Sequence, residues 1–260
     1  MHLSSPRNPI LKSIRRASKE GRPTDCGHIV IEGPHLLAEA LQSNSKWAVQ
    51  RIFTTPAGRQ LHASLLHNAK TEITELPAPS FRSLSGTETT QEIIALVEVP
   101  HWSWADLTSR AGAILVLDGI QDPGNAGTLV RSAEAFGAAG VIFLEGSVRI
   151  ANGKFLRATA GSIFRVAFLE GISRMELTAT RERNHLLIYA LKADGRLPLA
   201  QADFSQPCAL VVGSEGRGVS RELLAGAQTV AIPTADVESL NAAVAGSIAL
   251  FEAARQRKTV

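Results

Sequence analysis

The chain has only two cysteines in 260 residues, Cys26 and Cys208. Two thiols cannot build a disulfide framework, and their scarcity fits a reducing compartment. No Cys/His cluster has zinc-ligand spacing, so no metal site is expected. No apolar run reaches the roughly 18 residues that cross a bilayer. The basic start, MHLSSPRNPILKSIRR, lacks the apolar stretch of a secretion signal. A cytoplasmic protein with no membrane partner is expected. There is no internal repeat and no low-complexity tract. The usual nicotinamide fingerprint is missing too. Gly124 and Gly127 are separated by Asn and Ala, and no third glycine follows at the right step.

What is present is a 45% hydrophobic chain with a formal net charge of +3. That is ample for one large domain or two small ones. The charge is mild, but its placement is uneven. Arg7, Lys12, Arg15, Arg16, Lys19 and Arg22 face a single carboxylate, Glu20. Such a leader either contacts phosphates or is a solvated, partly disordered terminus.

Hydrophobic patterning divides the chain. Residues 28–33, 49–55, 71–76 and 92–99 read as strands, and 35–43 and 61–70 as helices. This alternation predicts a small α/β domain over 1–99. Residues 100–111 carry Trp102, Trp104, polar residues and flanking Pro/Gly, and read as a linker. Apolar runs then recur at 113–120, 141–144, 162–169, 186–191, 209–213 and 229–233. They predict a mostly parallel sheet covered by helices on both faces, over 112–260. The last helix is expected to start at or near Ser239. Its apolar face should be Leu240, Val244, Ile248 and Phe251.

Three loops stand where parallel sheets bind ligands, after the strands' C-terminal ends. In the first, LDGIQDPGNAGTLVR, Asn125 is placed to cap a helix. Arg131 follows within that helix, and either snorkels to solvent or presents its donor fork to a phosphate or ribose. In the second, GSEGRGVS, Gly213, Gly216 and Gly218 permit close ligand approach around Glu215, and Ser220 can start the next helix. The bland alternative is an ordinary strand-to-helix turn. In the third, Ser239 and Asn241 flank Leu240 at a helix entrance. They either cap that helix or form a donor cluster for a ligand.

Taken together, NAGTLVR, GSEGRGVS and IPTADVESLNAAVA closely resemble the SpoU (TrmH-like) branch of the SPOUT RNA methyltransferases. The likeness spans roughly 113–257. The N-terminal part is similar, more weakly, to the ribosomal-protein-like substrate-binding domain often fused to that fold. IEGPHLLAEAL and LSGTETTQEIIALV carry this likeness. Thr90 and Glu92 stand there where relatives often have Pro and Gly.

The resemblance implies S-adenosylmethionine as cofactor and methyl transfer to a ribose 2′-hydroxyl. The RNA would be ribosomal in the first instance. Transfer RNA, or an inactive RNA-binding protein of the same fold, are the alternatives. It also implies a deep trefoil knot, which general topology would have excluded, and a homodimer whose site is completed across the interface. Arg131, Asn125, Glu215, Ser239 and Asn241 take the family's functional positions. Gly213, Glu215, Gly216, Ile232, Leu240, Asn241 and Ala243 fall where the cofactor is cradled. The family proposal makes Arg131 the proton acceptor. An arginine normally stays protonated, so binding a phosphate and orienting the sugar is the other role open to it.

Overall fold

The computed structural model describes residues 8–258. Arg7 of the basic leader lies outside them. The chain forms two units. One is Met1–His101 with Arg149–Arg165, and the other is Trp102–Val148 with Val166–Val260.

The basic leader folds as helix α1, Pro9–Glu20, capped by the Asn8 side chain and ended by Gly21 at φ 60°. Leu11, Ile14 and Ala17 recur at helical spacing and are buried, so the described leader is an anchored amphipathic helix. Its basic residues fall on the outer side, where Arg15 donates to the Ser83 carbonyl at 3.1 Å. The unit continues with β1 (Ile29–Glu32), α2 (Pro34–Ala40), β2 (Ala48–Thr54), α3 (Pro56–Leu61), α4 (Ala63–His67), β3 (Glu72–Glu75), α5 (Ala78–Arg82) and β4 (Ile93–Glu98). Of the helix expected over 61–70, only Ala63–His67 forms as α4, after a separate short helix α3 that ends at Leu61.

The sheet order is β1-β4-β2-β3, antiparallel except for the β2–β3 pair. One core joins α1 to Val30, Phe53, Leu76, Phe81, Leu84, Ile94 and Leu96. Before β4, Glu92 adopts φ 59°, a left-handed backbone. This is the position where the family resemblance leads one to expect Gly. Its carboxylate accepts from Thr55 Oγ1 at 2.8 Å and its carbonyl from Thr54 Oγ1 at 2.7 Å.

The second unit opens inside the expected linker with α6, Trp104–Thr108, held by a Ser103/Asp106 capping box. Leu107 is buried in this unit's core, and Trp102 and Trp104 pack against it. The chain then runs β5 (Ile114–Asp118), α7 (Pro123–Ala135) and β6 (Gly140–Leu144). Helix α8 (Gly153–Ala158) follows, then β7 (Phe168–Ile172), α9 (Arg174–Asn184), β8 (Leu187–Leu191), β9 (Leu197–Pro198) and β10 (Cys208–Gly213). Last come α10 (Arg221–Leu224), β11 (Gln228–Ala231) and α11 (Ala242–Gln256). The seven strands lie in the order β7-β6-β5-β10-β8-β11-β9, and every pair is parallel. The strand expected over 162–169 forms only at its end. Ser162–Phe164 is a 3-10 turn instead.

The reason for that difference is where the segment packs. Arg149–Arg165, which includes α8, goes with the first unit, although it was expected within 112–260. There Phe164 meets Trp47 edge to face at 4.9 Å, and Arg165 pairs with Glu39. Gly161, at φ 91°, lets the chain turn here, since a Cβ would lie 2.5 Å from Glu39 Cγ.

Helix α11 also departs from expectation. Of the two candidate caps, Asn241 serves and Ser239 does not, and the departure lies in the helix's buried face. The buried face is Ala243, Gly246, Ala249, Leu250, Ala253 and Ala254, while Val244, Ile248 and Phe251 are 47%, 37% and 46% exposed. The small residues win the inner face because α11 packs tightly against α7 and β10. A Cβ on Gly246 would sit 2.3 Å from Leu129 Cδ2 and 3.0 Å from Val212 Cγ2. Both cysteines are free. Burial pushes the Cys208 thiol up to about 11.

Candidate active site

The site is built at the C-terminal ends of β5, β10 and β11. Strand β5 runs into Asp118, which is buried and registers opposite Gly213 of β10. The first loop then enters α7. Its cap is Asp122, whose carboxylate accepts from the Asn125 N–H at 2.7 Å. Asn125 was expected to cap this helix itself. Asp122 fills that role because Pro123 fixes the first helical position, and Asn125's side chain is left for other bonds.

The second loop is held at both ends. The Gly218 N–H donates to the Ser214 carbonyl at 2.8 Å, closing a tight turn that presents Glu215 and Gly216. Gly213 is required here, since a Cβ would lie 2.1 Å from the Gly218 carbonyl carbon. At the far end the Ser220 N–H donates to Asp118 Oδ2 at 2.7 Å. Asp118 Oδ1 accepts from Arg174 Nη2 at 2.5 Å, and this carboxylate is 1% exposed. Ser220 does precede α10, but its hydroxyl is buried and makes no cap bond.

The third loop ends at Asn241, whose Oδ1 accepts from Ala243 N at 2.9 Å and Val244 N at 3.2 Å. Its Nδ2 donates to Asn125 Oδ1 at 3.1 Å, and Asn125 Nδ2 donates to Glu215. Three loops distant in sequence thus close into one directional chain. The helix N–H groups can only donate and the carboxylate can only accept, so both amides are fixed in orientation.

Beside this chain lies a cavity of about 430 Å³. Of the expected residues, Gly213, Glu215, Ile232, Ser239, Leu240 and Asn241 line it. Gly216, Ala243, Asn125 and Arg131 do not. Arg131 is exposed on α7, about 120° round the helix from Asn125 at roughly 100° per residue. It makes no hydrogen bond or ion pair among the described residues. Glu215 therefore holds Asn125 rather than Arg131 within the chain.

Asp118, Asp122 and Arg174 were missed from sequence. Asp122 was readable, because Asp before Pro is a helix-start signal. Asp118 read as the end of an apolar strand, and nothing in the sequence links it to Arg174. Among the described residues no group of three or more His, Cys, Asp or Glu could hold a metal ion. No helix there is long and apolar enough to cross a membrane.

The SpoU rRNA Methylase family model matches residues 112–251. The chain belongs to this family. An MRM3-like substrate binding domain model matches residues 8–95. The chain is 29% identical to the 23S rRNA (guanosine(2553)-2′-O)-methyltransferase RlmP of Bacillus subtilis, over 96% of this chain and 97% of that one. It is 32% identical to an uncharacterised tRNA/rRNA methyltransferase of Mycobacterium avium, over 97% and 85%. Among solved structures it is similar to the SpoU methyltransferase AviRb from Streptomyces viridochromogenes in complex with AdoMet. That match has a TM-score of 0.85 and 25% identity, over 97% of this chain and 99% of that one. The SpoU family consists of RNA methyltransferases that use S-adenosylmethionine, and the parallel sheet described above matches its structures.

Proposed function

We propose that the chain transfers the methyl group of S-adenosylmethionine to a ribose 2′-hydroxyl of ribosomal RNA. The observation that carries this reading is the Asn241–Asn125–Glu215 chain beside the cavity. The cavity's size lies within the roughly 300–1,000 Å³ of small-molecule sites. Its walls suit the cofactor. Leu191, Val212, Val230, Ile232 and Leu240 offer apolar surface for a base. Glu215 and Glu238 offer carboxylates for a cation and for hydroxyl donors. Gly213, Glu215, Ile232, Leu240 and Asn241 would hold it. When bound, it supplies an electrophilic methyl on a sulfonium.

The chain's own residues supply positioning. A ribose hydroxyl is a poor nucleophile, and orientation alone can lower the barrier by up to about 7–11 kcal/mol. Asn125 holds the Glu215 loop and α11 in one frame. Ser239, on the cavity wall, contacts substrate or cofactor. Arg131 presents a planar donor fork to the phosphate beside the target ribose, a role that its permanent charge favours over accepting a proton.

Arg131 lies off its own chain's cavity, so a homodimer is part of this reading. The exposed Val244, Ile248 and Phe251 support it, because they form an apolar ridge still partly open to solvent on the helix packed beside α7, with Phe251 also edge to face on Phe136. Pairing two such faces would carry Arg131 to the partner's cavity. A trefoil knot also belongs to the reading. It is supported by the insertion of β10 between β5 and β8 and by the return of α11 onto β10 and α7. A cytoplasmic location goes with it.

The test is transfer of labelled methyl from S-adenosylmethionine to ribosomal and transfer RNA from a strain lacking the gene, with mapping of 2′-O-methyl positions. A single ribose mark on ribosomal RNA, absent in the strain and restored by the protein, supports the reading. Label on transfer RNA alone, or on a base, replaces the substrate. Cofactor binding without transfer to any RNA leaves an inactive RNA-binding protein.

A further inference from the structure

Four arginines of the first unit are neutralised by carboxylates: Arg16 by Asp25, Arg51 by Glu72, Arg59 by Glu75 and Arg165 by Glu39. The cations where α1 meets α8 are not. Gly21, which ends α1, lies against the start of α8, so that a Cβ there would sit 3.2 Å from Asn152 Cα. Lys19 and Arg22 flank Gly21, Arg149 and Lys154 flank Asn152, and all four are exposed. Arg157 is exposed too, and its Nη1 lies 3.3 Å from where a Gly153 Cβ would be, so its guanidinium folds back toward the same junction. None of these five side chains has a hydrogen-bond or ion-pair partner among the described residues. Glu20 is the one carboxylate in α1, and Arg149–Arg165 contains none.

Consecutive Cα atoms are about 3.8 Å apart, so the Cα atoms of the four flanking residues lie within about 11 Å of the contact. That is comparable to the Debye length of about 8–10 Å at physiological salt. Five like charges in that space repel one another, and a compact surface carries them at a cost unless an anion neutralises them. A series of phosphates is the anion that fits several separated cations at once.

We propose that α1 and α8 together form a docking surface for the phosphate backbone of the substrate RNA. The crossover between β6 and β7, which falls inside the family's methylase region, thereby serves RNA capture. The identity of the polyanion rests on the RNA methyltransferase reading. The geometry of the surface does not.

The test uses the full chain and a fluorescein-labelled RNA hairpin titrated across a salt series. Lys154→Gln with Arg157→Gln should weaken binding at low salt by roughly tenfold or more, and flatten the slope of log K against log salt by about 1.5–2. The charge-matched control, Lys70→Gln with Arg183→Gln, should leave both nearly unchanged. S-adenosylmethionine binding by calorimetry should be equal in all three proteins, which also shows that the variants fold. Equal RNA affinity and slope in the two double variants would overturn the docking surface and leave the methyltransferase reading standing. A wild-type protein that binds the hairpin but not S-adenosylmethionine would do the reverse.

Discussion

Asn241 Nδ2 donates to Asn125 Oδ1 at 3.1 Å, joining residues 116 positions apart. Asn125 in turn donates to Glu215. Asn125→Asp removes the only side-chain donor to Glu215 among the described residues and sets two carboxylates against each other. Methyl transfer should fall about 100-fold, as for loss of one preorganised donor, with little change in the thermal midpoint. Adding Glu215→Gln should recover part of the rate, because the introduced glutamine can donate to the introduced aspartate. Asn241 would still donate to that aspartate. A double variant no better than the single one would show that the chain does not set the geometry.

Asp118 joins two parts of the second unit through one buried carboxylate, accepting from Arg174 and from the Ser220 N–H. Arg174→Ala leaves that charge buried with only a backbone donor. The expected loss is about 3 kcal/mol, at the low end for buried pairs because Arg174 is 32% exposed. Urea unfolding would measure it. A loss below about 1 kcal/mol, the range of surface pairs, would mean that water reaches Asp118.

Glu92 holds φ 59° with a side chain, at a position where glycine would be free of strain. Glu92→Gly and Glu92→Ala both lose the Thr55 hydroxyl bond. They differ in the left-handed backbone, which costs a residue with a Cβ roughly 1–2 kcal/mol. The glycine variant should therefore be the more stable of the two by about 1 kcal/mol, against the usual order. Equal midpoints in chemical denaturation would rule out the left-handed turn.

The strands of the second unit were legible because a parallel sheet covered on both faces needs unbroken apolar runs, as in Ile114–Asp118 and Cys208–Gly213. The same logic misplaced 162–169. Ile163 and Phe164 are as apolar as any strand but are buried with the first unit, and no local pattern reveals which core a residue joins. Helix α11 misled for a related reason. Its large residues stay outside because Gly246 and the alanines allow α7 and β10 to come close, and that proximity is a tertiary fact. The site motifs were visible one by one. The Asn241–Asn125–Glu215 bonds that join them cross the whole unit and have no sequence signature.

Arg131 supplies the last prediction, because its position separates two arrangements of the site. It is exposed on α7 and lines no part of its own chain's cavity, whereas Asn125 bonds directly to two cavity residues. If the homodimer carries Arg131 to the partner's cavity, Arg131→Ala and Asn125→Ala damage different halves of one composite site. Each variant alone should be inactive. Mixed by co-refolding, half of the dimers should pair one variant with the other, and each such dimer regains one intact site of two. Methyl transfer should then recover to about a quarter of wild type, the fraction that twofold symmetry dictates. If Arg131 acts within its own chain, no dimer in the mixture holds an intact site and no activity returns. The Arg131→Lys variant on its own sharpens the point. It keeps the charge but not the planar fork, so its homodimer should stay near background if the fork is what the ribose requires. Mixed with Asn125→Ala it should recover to the same quarter, because the restored site takes its arginine from the Asn125→Ala chain. Near-normal turnover by the Arg131→Lys homodimer would show that charge alone suffices.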